Sequence, residues 1–131
     1  MRRDFLFLFL LMGCMACTQN PKLSQYAVQG ERLYERHCAN CHQLNGTGLG
    51  RLYPPLINSE YLKKDPAELA GIIRNGIDGS ISVNGNEYDQ PMAGNPTITD
   101  LEIAEILTYI NVSWGDGTLI DVKSVAQKLN P

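Results

Sequence analysis

The feature that most constrains this chain is the segment Cys38-Ala39-Asn40-Cys41-His42, which has the pattern C-x-x-C-H. In a helical turn the two thiols lie on the same side, so each can add to one of the two vinyl groups on a haem edge. His42 directly follows the second thiol and is then carried beneath the iron as a neutral imidazole ligand. The motif therefore predicts one covalent haem c, attached at Cys38 and Cys41 and ligated by His42.

Pairs of the form C-x-x-C also occur in thioredoxin-like dithiol sites and in zinc sites. A closed structural zinc site needs about four nitrogen or sulfur ligands. Outside the motif the chain offers only His37, Cys14 and Cys17, and all three are badly placed. A dithiol oxidoreductase normally has a βαβ context and no use for the following histidine. The sequence therefore favours haem attachment over both alternatives.

The first 13 residues have the pattern of an export signal. Met1-Arg2-Arg3 is basic, and the apolar run from Phe5 to Met12 is too short to span a bilayer. Leu11-Met12-Gly13-Cys14 resembles a lipobox, the bacterial signal in which a cysteine becomes lipid-modified. We expect a lipoprotein signal peptide over residues 1–13 and lipidation of Cys14. The alternative is ordinary cleavage further on, for example after Ala16.

Loss of residues 1–13 removes two arginines and one aspartate, so the formal net charge changes from −3 to about −4. This acidic balance argues against nucleic-acid binding and favours basic or dipolar docking partners. Residues 14–25 contain Pro21, Ser24 and several amides, which predicts a tether between the lipid and the domain. Cys17 lies in this segment and has no evident partner.

Helical patterns follow the tether. Apolar residues recur on one face from Tyr26 to Cys38, which predicts the first helix. Gly30 within it indicates close contact with another backbone, although a merely tolerated glycine is the alternative. Asp65-Pro66 predicts the start of a second helix that ends at Asn75-Gly76. Thr99 to Glu102 has a capping-box pattern and predicts the start of the last long helix.

The remaining segments are predicted to be loops, a hairpin and a short terminal helix. Residues 80–88 alternate and turn at Asn84-Gly85, which favours a small hairpin. Asp121 is expected to cap a short amphipathic helix in a C-terminal tail, residues 115–131. Three glycines between Asn45 and Arg51 favour a loop along the edge of the haem, where a tight backbone avoids collision with a flat cofactor.

Two further residues are candidates for the haem site. Pro54 and Pro55 fix an extended segment, and we expect the Pro54 carbonyl to accept the Nδ1 proton of His42. Met92 follows a proline in a polar loop, where a core role is a poor explanation, so we expect it to be the sixth iron ligand. A surface or core methionine is the alternative. His37 is the rival ligand, but its position beside the motif makes the opposite haem face hard to reach.

These residues resemble the class I monohaem cytochrome c family, in its bacterial, lipoprotein-anchored form. The resemblance covers about Tyr26 to Trp114 and rests on the C-x-x-C-H motif, Pro54-Pro55-Leu56, Met92 and the 103–110 helix. It implies an all-α cytochrome c fold, with three to five helices around one covalent haem, in a domain of residues 26–114. It also implies that Gly30 and Tyr34 pack against Ile106 and Tyr109 where the first and last helices cross.

The predicted function is electron transfer by an exported, membrane-anchored lipoprotein that faces the periplasm or the cell exterior. We expect an electron carrier and not an enzyme, with no need for a small-molecule substrate and no nucleic-acid partner. The expected partners are redox proteins such as a terminal oxidase, a quinol-oxidising complex or a dehydrogenase. The alternatives are an open-site haem protein, acting as a peroxidase, reductase or gas sensor, and a haem relay subunit of a larger oxidoreductase.

Overall fold

The computed structural model describes residues 20–129, so the predicted signal peptide and Cys14 lie outside the described residues. Within this range the chain is predominantly helical, which confirms the predicted fold class. In chain order the helices are α1 (Pro21–His37), α2 (Ala39–His42), a 3₁₀ helix (Glu60–Lys63), α3 (Pro66–Asn75), α4 (Asp100–Trp114) and α5 (Val122–Leu129). No helix in this range is both long enough and apolar enough to cross a bilayer.

The prediction that the tether runs to residue 25 is wrong at its C-terminal end, because α1 begins at Pro21 and not at Tyr26. The side chain of Asn20 accepts a hydrogen bond from the backbone N–H of Lys22 at 3.1 Å. Proline suits the first position of a helix because its missing N–H has no intrahelical partner there. Asn20-Pro21 is therefore a start signal that the polar composition of the segment obscured.

Helices α1 and α4 cross at Gly30, which confirms the predicted close contact. A Cβ atom at Gly30 would lie 1.9 Å from the backbone oxygen of Glu105 and 2.8 Å from Cβ of Tyr109. One turn further along α1, the buried ring of Tyr34 packs against Tyr109 and Trp114, with centroid distances of 5.3 and 5.4 Å. The crossing therefore joins the two ends of the family-like region through a small residue and an aromatic cluster.

The other predicted helix starts are also confirmed. The Asp65 side chain accepts a hydrogen bond from the Ala67 N–H at 2.8 Å at the start of α3. Thr99 and Glu102 form a reciprocal capping box at the start of α4. At the C-terminus Asp121 accepts from the Lys123 N–H at 2.9 Å, at the predicted short helix α5. Val125 in α5 is fully buried, so this helix belongs to the core and is more than a tail.

Two small sheets lie between α3 and α4. Strands β2 (Ile81–Val83) and β3 (Asn86–Tyr88) form the predicted hairpin, and both turn residues, Asn84 and Gly85, have positive φ. Positive φ at both positions is typical of a type I′ turn. Strands β1 (Gly76–Ile77) and β4 (Met92–Ala93) form a second antiparallel pair that the sequence analysis did not predict. Two-residue strands are too short to show an alternating pattern.

Candidate haem site

His42 is positioned by the end of α1 and by a loop that returns to it. Its backbone N–H bonds to the Cys38 carbonyl at 2.9 Å, which continues the chain into the short helix α2. Its Nδ1 atom lies 3.0 Å from the Pro54 carbonyl oxygen. Because a carbonyl only accepts, Nδ1 carries the proton in this contact and Nε2 keeps a free lone pair. This is the tautomer that an iron ligand requires.

The electrostatic environment of His42 also favours the neutral imidazole. Burial lowers the pKa of His42 below its usual value, and the hydrogen bond to Pro54 opposes this shift only partly. Desolvation penalises the charged form of a base, so the buried ring releases its second proton more easily. Geometry and burial therefore both favour the neutral ring with its lone pair on Nε2.

The glycine-containing loop after His42 holds Pro54 in place. Gly48 donates its N–H to the His42 carbonyl at 3.0 Å, and Leu49 donates to the Tyr53 carbonyl at 3.0 Å. Gly48 has φ +68°, and a Cβ atom there would lie 2.2 Å from the Tyr53 carbonyl oxygen. A Cβ atom at Gly46 would likewise lie 2.8 Å from the Trp114 ring. Protein packing, and not only room for a flat cofactor, therefore explains why glycine is needed at these two positions.

Cys38 and Cys41 flank the same turn and are both half-buried, and they are not joined in a disulfide. Burial, with a smaller contribution from Cys41, raises the pKa of the Cys38 thiol to about 12. A reactive dithiol site depends on a readily formed thiolate, which this environment disfavours. Among residues 20–129 no group of three or more His, Cys, Asp or Glu side chains is arranged to hold a metal ion.

A deep, almost wholly apolar cavity opens beside His42. It contains about 710 Å³ of space not filled by protein atoms, part of it open to solvent. Its walls come from the C-x-x-C-H turn, the proline segment, the 3₁₀ helix, the small strands, and helices α3 and α4. The aliphatic side chains of that wall are Leu56, Leu62, Leu69, Ile72, Ile73, Ile77, Ile81, Val83, Ile106, Leu107 and Ile110.

The cavity brings together most of the residues that the sequence singled out. Cys38, His42, Pro54 and Met92 all line it. Met92 is half-buried on β4, where it is paired with Ile77. Cys41 lies in the same turn as Cys38 but does not line the cavity, and His37 is exposed at the end of α1. The thiol of Cys38, the imidazole of His42 and the thioether of Met92 around an apolar slot, with Cys41 in the adjoining turn, fit a covalently attached haem.

Two hydroxyl residues in the cavity wall were missed by the sequence analysis. Ser59 is only 5% exposed, and its side chain accepts the Tyr61 N–H at 3.2 Å. Both residues line the cavity where the chain enters the 3₁₀ helix. The sequence analysis singled out neither residue. A serine at a helix start is a capping signal, and nothing in the spacing indicated that its side chain also faces a cofactor site.

Comparison with known proteins places the chain among haem proteins. The family model described as Cytochrome c matches residues 27–114. The chain is 34% identical over 140 residues to a cytochrome c-552 of Thermus thermophilus, covering 96% of this chain and 88% of that protein. It is 30% identical over 89 residues to the cytochrome c subunit of the quinone alcohol dehydrogenase of Gluconobacter oxydans, covering 66% of this chain and 18% of that subunit. The chain therefore belongs to the cytochrome c family of electron carriers, which hold a covalently bound haem c.

Proposed function

We propose that this protein is a membrane-tethered carrier that passes single electrons between exported redox proteins through a haem iron ligated by His42 and Met92. The observation that carries this proposal is the cavity itself. An imidazole oriented by the Pro54 carbonyl and the thioether of Met92 line one apolar slot, together with Cys38. This arrangement offers two iron ligands of the kind found in electron-transfer haems and no surplus acid or base.

The residues of the site have separate roles in this proposal. Cys38 and Cys41 would hold the haem covalently, each as a neutral thioether formed by addition of its S–H across one vinyl group, with no net redox change. When bound, the haem supplies an iron that accepts or releases one electron. His42 is held in the ligating tautomer by Pro54, and this hydrogen bond raises its basicity as a ligand. Met92 favours ferrous iron and thus raises the reduction potential.

The wall of the cavity supports the same role. Its lining is largely aliphatic, from helices α3 and α4 and the small strands, and would shield part of a bound haem from water. A hydrophobic shell around a metal site controls solvent access and the local dielectric, and through them the reduction potential. An environment of this kind favours the less charged state of the iron. We therefore expect a stable, six-coordinate site.

The proposed membrane attachment rests on the lipobox-like segment that ends at Cys14. Since α1 begins at Pro21, only residues 14–20 separate the lipid from the folded domain. A fully extended chain spans at most about 3.5 Å per residue, which limits the reach of this linker to roughly 25 Å. The domain would then stay close to the bilayer, where a high effective concentration favours membrane-bound partners.

We propose that the partners are redox proteins, such as a terminal oxidase, a quinol-oxidising complex or a dehydrogenase. The similarity to a cytochrome c subunit of a quinone alcohol dehydrogenase supports the last class and also a second role, as a haem relay within a larger oxidoreductase. Purification from native membranes distinguishes the two roles. A stoichiometric partner that resists salt and mild detergent indicates a relay subunit, whereas a separable monomer indicates a mobile carrier.

The ligation is tested by the visible spectrum of the haem-loaded protein, oxidised and reduced, before and after carbon monoxide. We expect a low-spin spectrum, a weak sulfur-to-iron band in the oxidised form, and no response to carbon monoxide. Met92→Ala should remove the band and lower the reduction potential. A high-spin spectrum or ready carbon monoxide binding in the wild type would instead indicate an open site, suited to catalysis or gas sensing.

The anchor is tested by Cys14→Ser. We expect this variant to move from the membrane fraction to the soluble exported fraction, while Cys17→Ser, a matched change three residues later, stays in the membrane. Metabolic labelling with a radioactive fatty acid should mark the wild type and Cys17→Ser only. Fatty-acid labelling that persists in Cys14→Ser would contradict lipidation at this position.

A further inference from the structure

The segment that carries Met92 is a long excursion between two helices. We define the methionine segment as residues 76–98, which run from the end of α3 to the residue before the Thr99 cap of α4. We infer that Arg74 is a positioning residue for Met92, because its hydrogen bonds connect the two ends of this segment. We call these contacts of Arg74 with Ile98 and Asp100 the Arg74 clasp. The inference rests on the proposed ligation of iron by Met92.

Arg74 makes two contacts across the base of the methionine segment. Its Nη2 atom donates to the Ile98 carbonyl at 2.8 Å and to Asp100 Oδ1 at 2.7 Å. The two charged side chains are only 21% and 23% exposed. Partial burial reduces screening by solvent, so this ion pair is stronger than a typical surface pair. Arg74 thus joins the last turn of α3 to the start of α4.

Backbone hydrogen bonds also join the two ends of the methionine segment. Asn95 donates its N–H to the Ile73 carbonyl at 3.0 Å, and Gly76 is paired with Ala93 in the short sheet. The strands that hold Met92 are only two residues long, so they contribute few ladder bonds of their own. The position of Met92 therefore depends on how firmly the ends of the methionine segment are fixed.

A weakly held segment can exchange between two states, one with the thioether on iron and one with it withdrawn. Because the Arg74–Asp100 ion pair holds the ends of the segment that carries Met92, its loss should shift that equilibrium by about tenfold or more. A small ligand that competes for the vacated iron position reports this shift directly. Its apparent affinity rises in proportion to the fraction of protein with Met92 withdrawn.

The test is a titration of the oxidised, haem-loaded full chain with imidazole, followed by loss of the sulfur-to-iron band. We expect Arg74→Gln to bind imidazole about tenfold more tightly than the wild type, since glutamine lacks the charge that holds Asp100. Its reduction potential should fall as well. Arg74→Lys keeps the charge and should recover most of the wild-type affinity. If Arg74→Gln does not retain haem, Asp100→Asn takes its place, because it also removes the ion pair. Asp100→Asn should then bind imidazole more tightly than Arg74→Lys does.

Two controls separate positioning from a general loss of stability. Lys22→Gln breaks an ion pair between α1 and Asp121, outside the methionine segment, and should leave imidazole affinity unchanged. In a Met92→Ala background, Arg74→Gln should have no effect on imidazole affinity, because there is no thioether left to position. An Arg74→Gln effect that persists without Met92 overturns the inference, as does wild-type affinity in Arg74→Gln itself.

The outcomes also separate this inference from the proposed function. If the wild type shows no sulfur-to-iron band, Met92 is not a ligand and the proposed ligation fails. If the band is present and responds to Met92→Ala but not to Arg74→Gln, the ligation stands and only the clasp is wrong.

Discussion

The two sides of the haem cavity are built in different ways. His42 lies in a short stretch of chain, and its ring and carbonyl are bonded to a loop that begins only a few residues later. Met92 lies on a two-residue strand in the methionine segment, and contacts between α3 and α4 hold the ends of this segment. The first side is fixed by neighbours in sequence, whereas the second depends on residues far apart in the chain.

This difference predicts which of the two proposed iron ligands, His42 or Met92, is released more easily. Local hydrogen bonds and the two proposed thioether links would hold His42 in place even when the surrounding structure loosens. The exposed hairpin and short strands of the methionine segment have few buried contacts, which is typical of regions with low local stability. We therefore expect perturbations to withdraw Met92 before His42.

The support common to both sides is the crossing of α1 and α4 at Gly30. Gly30→Ala should destabilise the protein by about 3 kcal/mol, because the added methyl group would overlap the Glu105 carbonyl and force the helices apart. The measurement is equilibrium unfolding in urea. Since α4 lines the cavity, the sulfur-to-iron band should disappear at a lower urea concentration than the overall helical signal.

Gly71→Ala is the matched control for Gly30→Ala. Gly71 lies inside α3, and a Cβ atom there would meet no atom within 4 Å. Alanine is the better helix former, so this change should stabilise the protein by about 0.5–1 kcal/mol. Equal losses of stability in both variants would show that the tight crossing is not what makes Gly30 necessary.

The second prediction compares one glycine from each side of the cavity. A Cβ atom at Gly76 would lie 2.3 Å from the Met92 carbonyl oxygen, and one at Gly48 would lie 2.2 Å from that of Tyr53. Both residues have positive φ, so alanine should cost about 2 kcal/mol at either position. Gly76→Ala should also weaken the sulfur-to-iron band, whereas Gly48→Ala should leave it intact.

Gly79→Ala controls for backbone strain alone, since Gly79 has φ +86° but faces open space. It should cost about 1 kcal/mol and leave the band unchanged. If Gly48→Ala weakened the band as much as Gly76→Ala, the two sides would not be mechanically distinct, and the comparison would have to be abandoned.

The third prediction concerns the tie between α1 and the haem-binding turn. The buried Tyr34 donates its hydroxyl to the Gln43 carbonyl at 2.6 Å, directly after the proposed ligand His42. Tyr34→Phe should cost about 1 kcal/mol, because it removes this hydrogen bond and keeps the packing against Tyr109 and Trp114. Urea unfolding measures the loss. The reduction potential should stay unchanged, and a marked shift would show that the hydroxyl also adjusts His42.

The sequence predicted the His42 side of the cavity well, because the signals that specify this side lie in adjacent residues. The motif spacing, the Pro54 segment and the helix caps each depend on a few adjacent residues. The region around Met92 was harder, because β1 and β4 pair across a long loop and their residues show no pattern that marks them as strands. The Arg74 clasp likewise joins residues from different helices. The early start of α1 was missed for another reason, since composition was given more weight than the Asn20-Pro21 signal.

The smallest expected effect concerns Glu102, at the α4 end of the methionine segment. Its carboxylate accepts the Thr99 N–H and hydroxyl, each at 2.8 Å, and these bonds lower the pKa of Glu102 below its usual value. A carboxyl whose folded pKa is depressed stabilises the fold above its unfolded pKa and loses that contribution as the pH falls through the folded value. Glu102→Gln should therefore be less stable than the wild type by about 0.5 kcal/mol near neutral pH, and this gap should close in acid. Urea midpoints of both proteins across the acid range measure the gap. A difference that stays constant with pH would mean that the carboxylate charge contributes nothing to the cap, and that the methionine segment is held at this end by Asp100 and the helix alone.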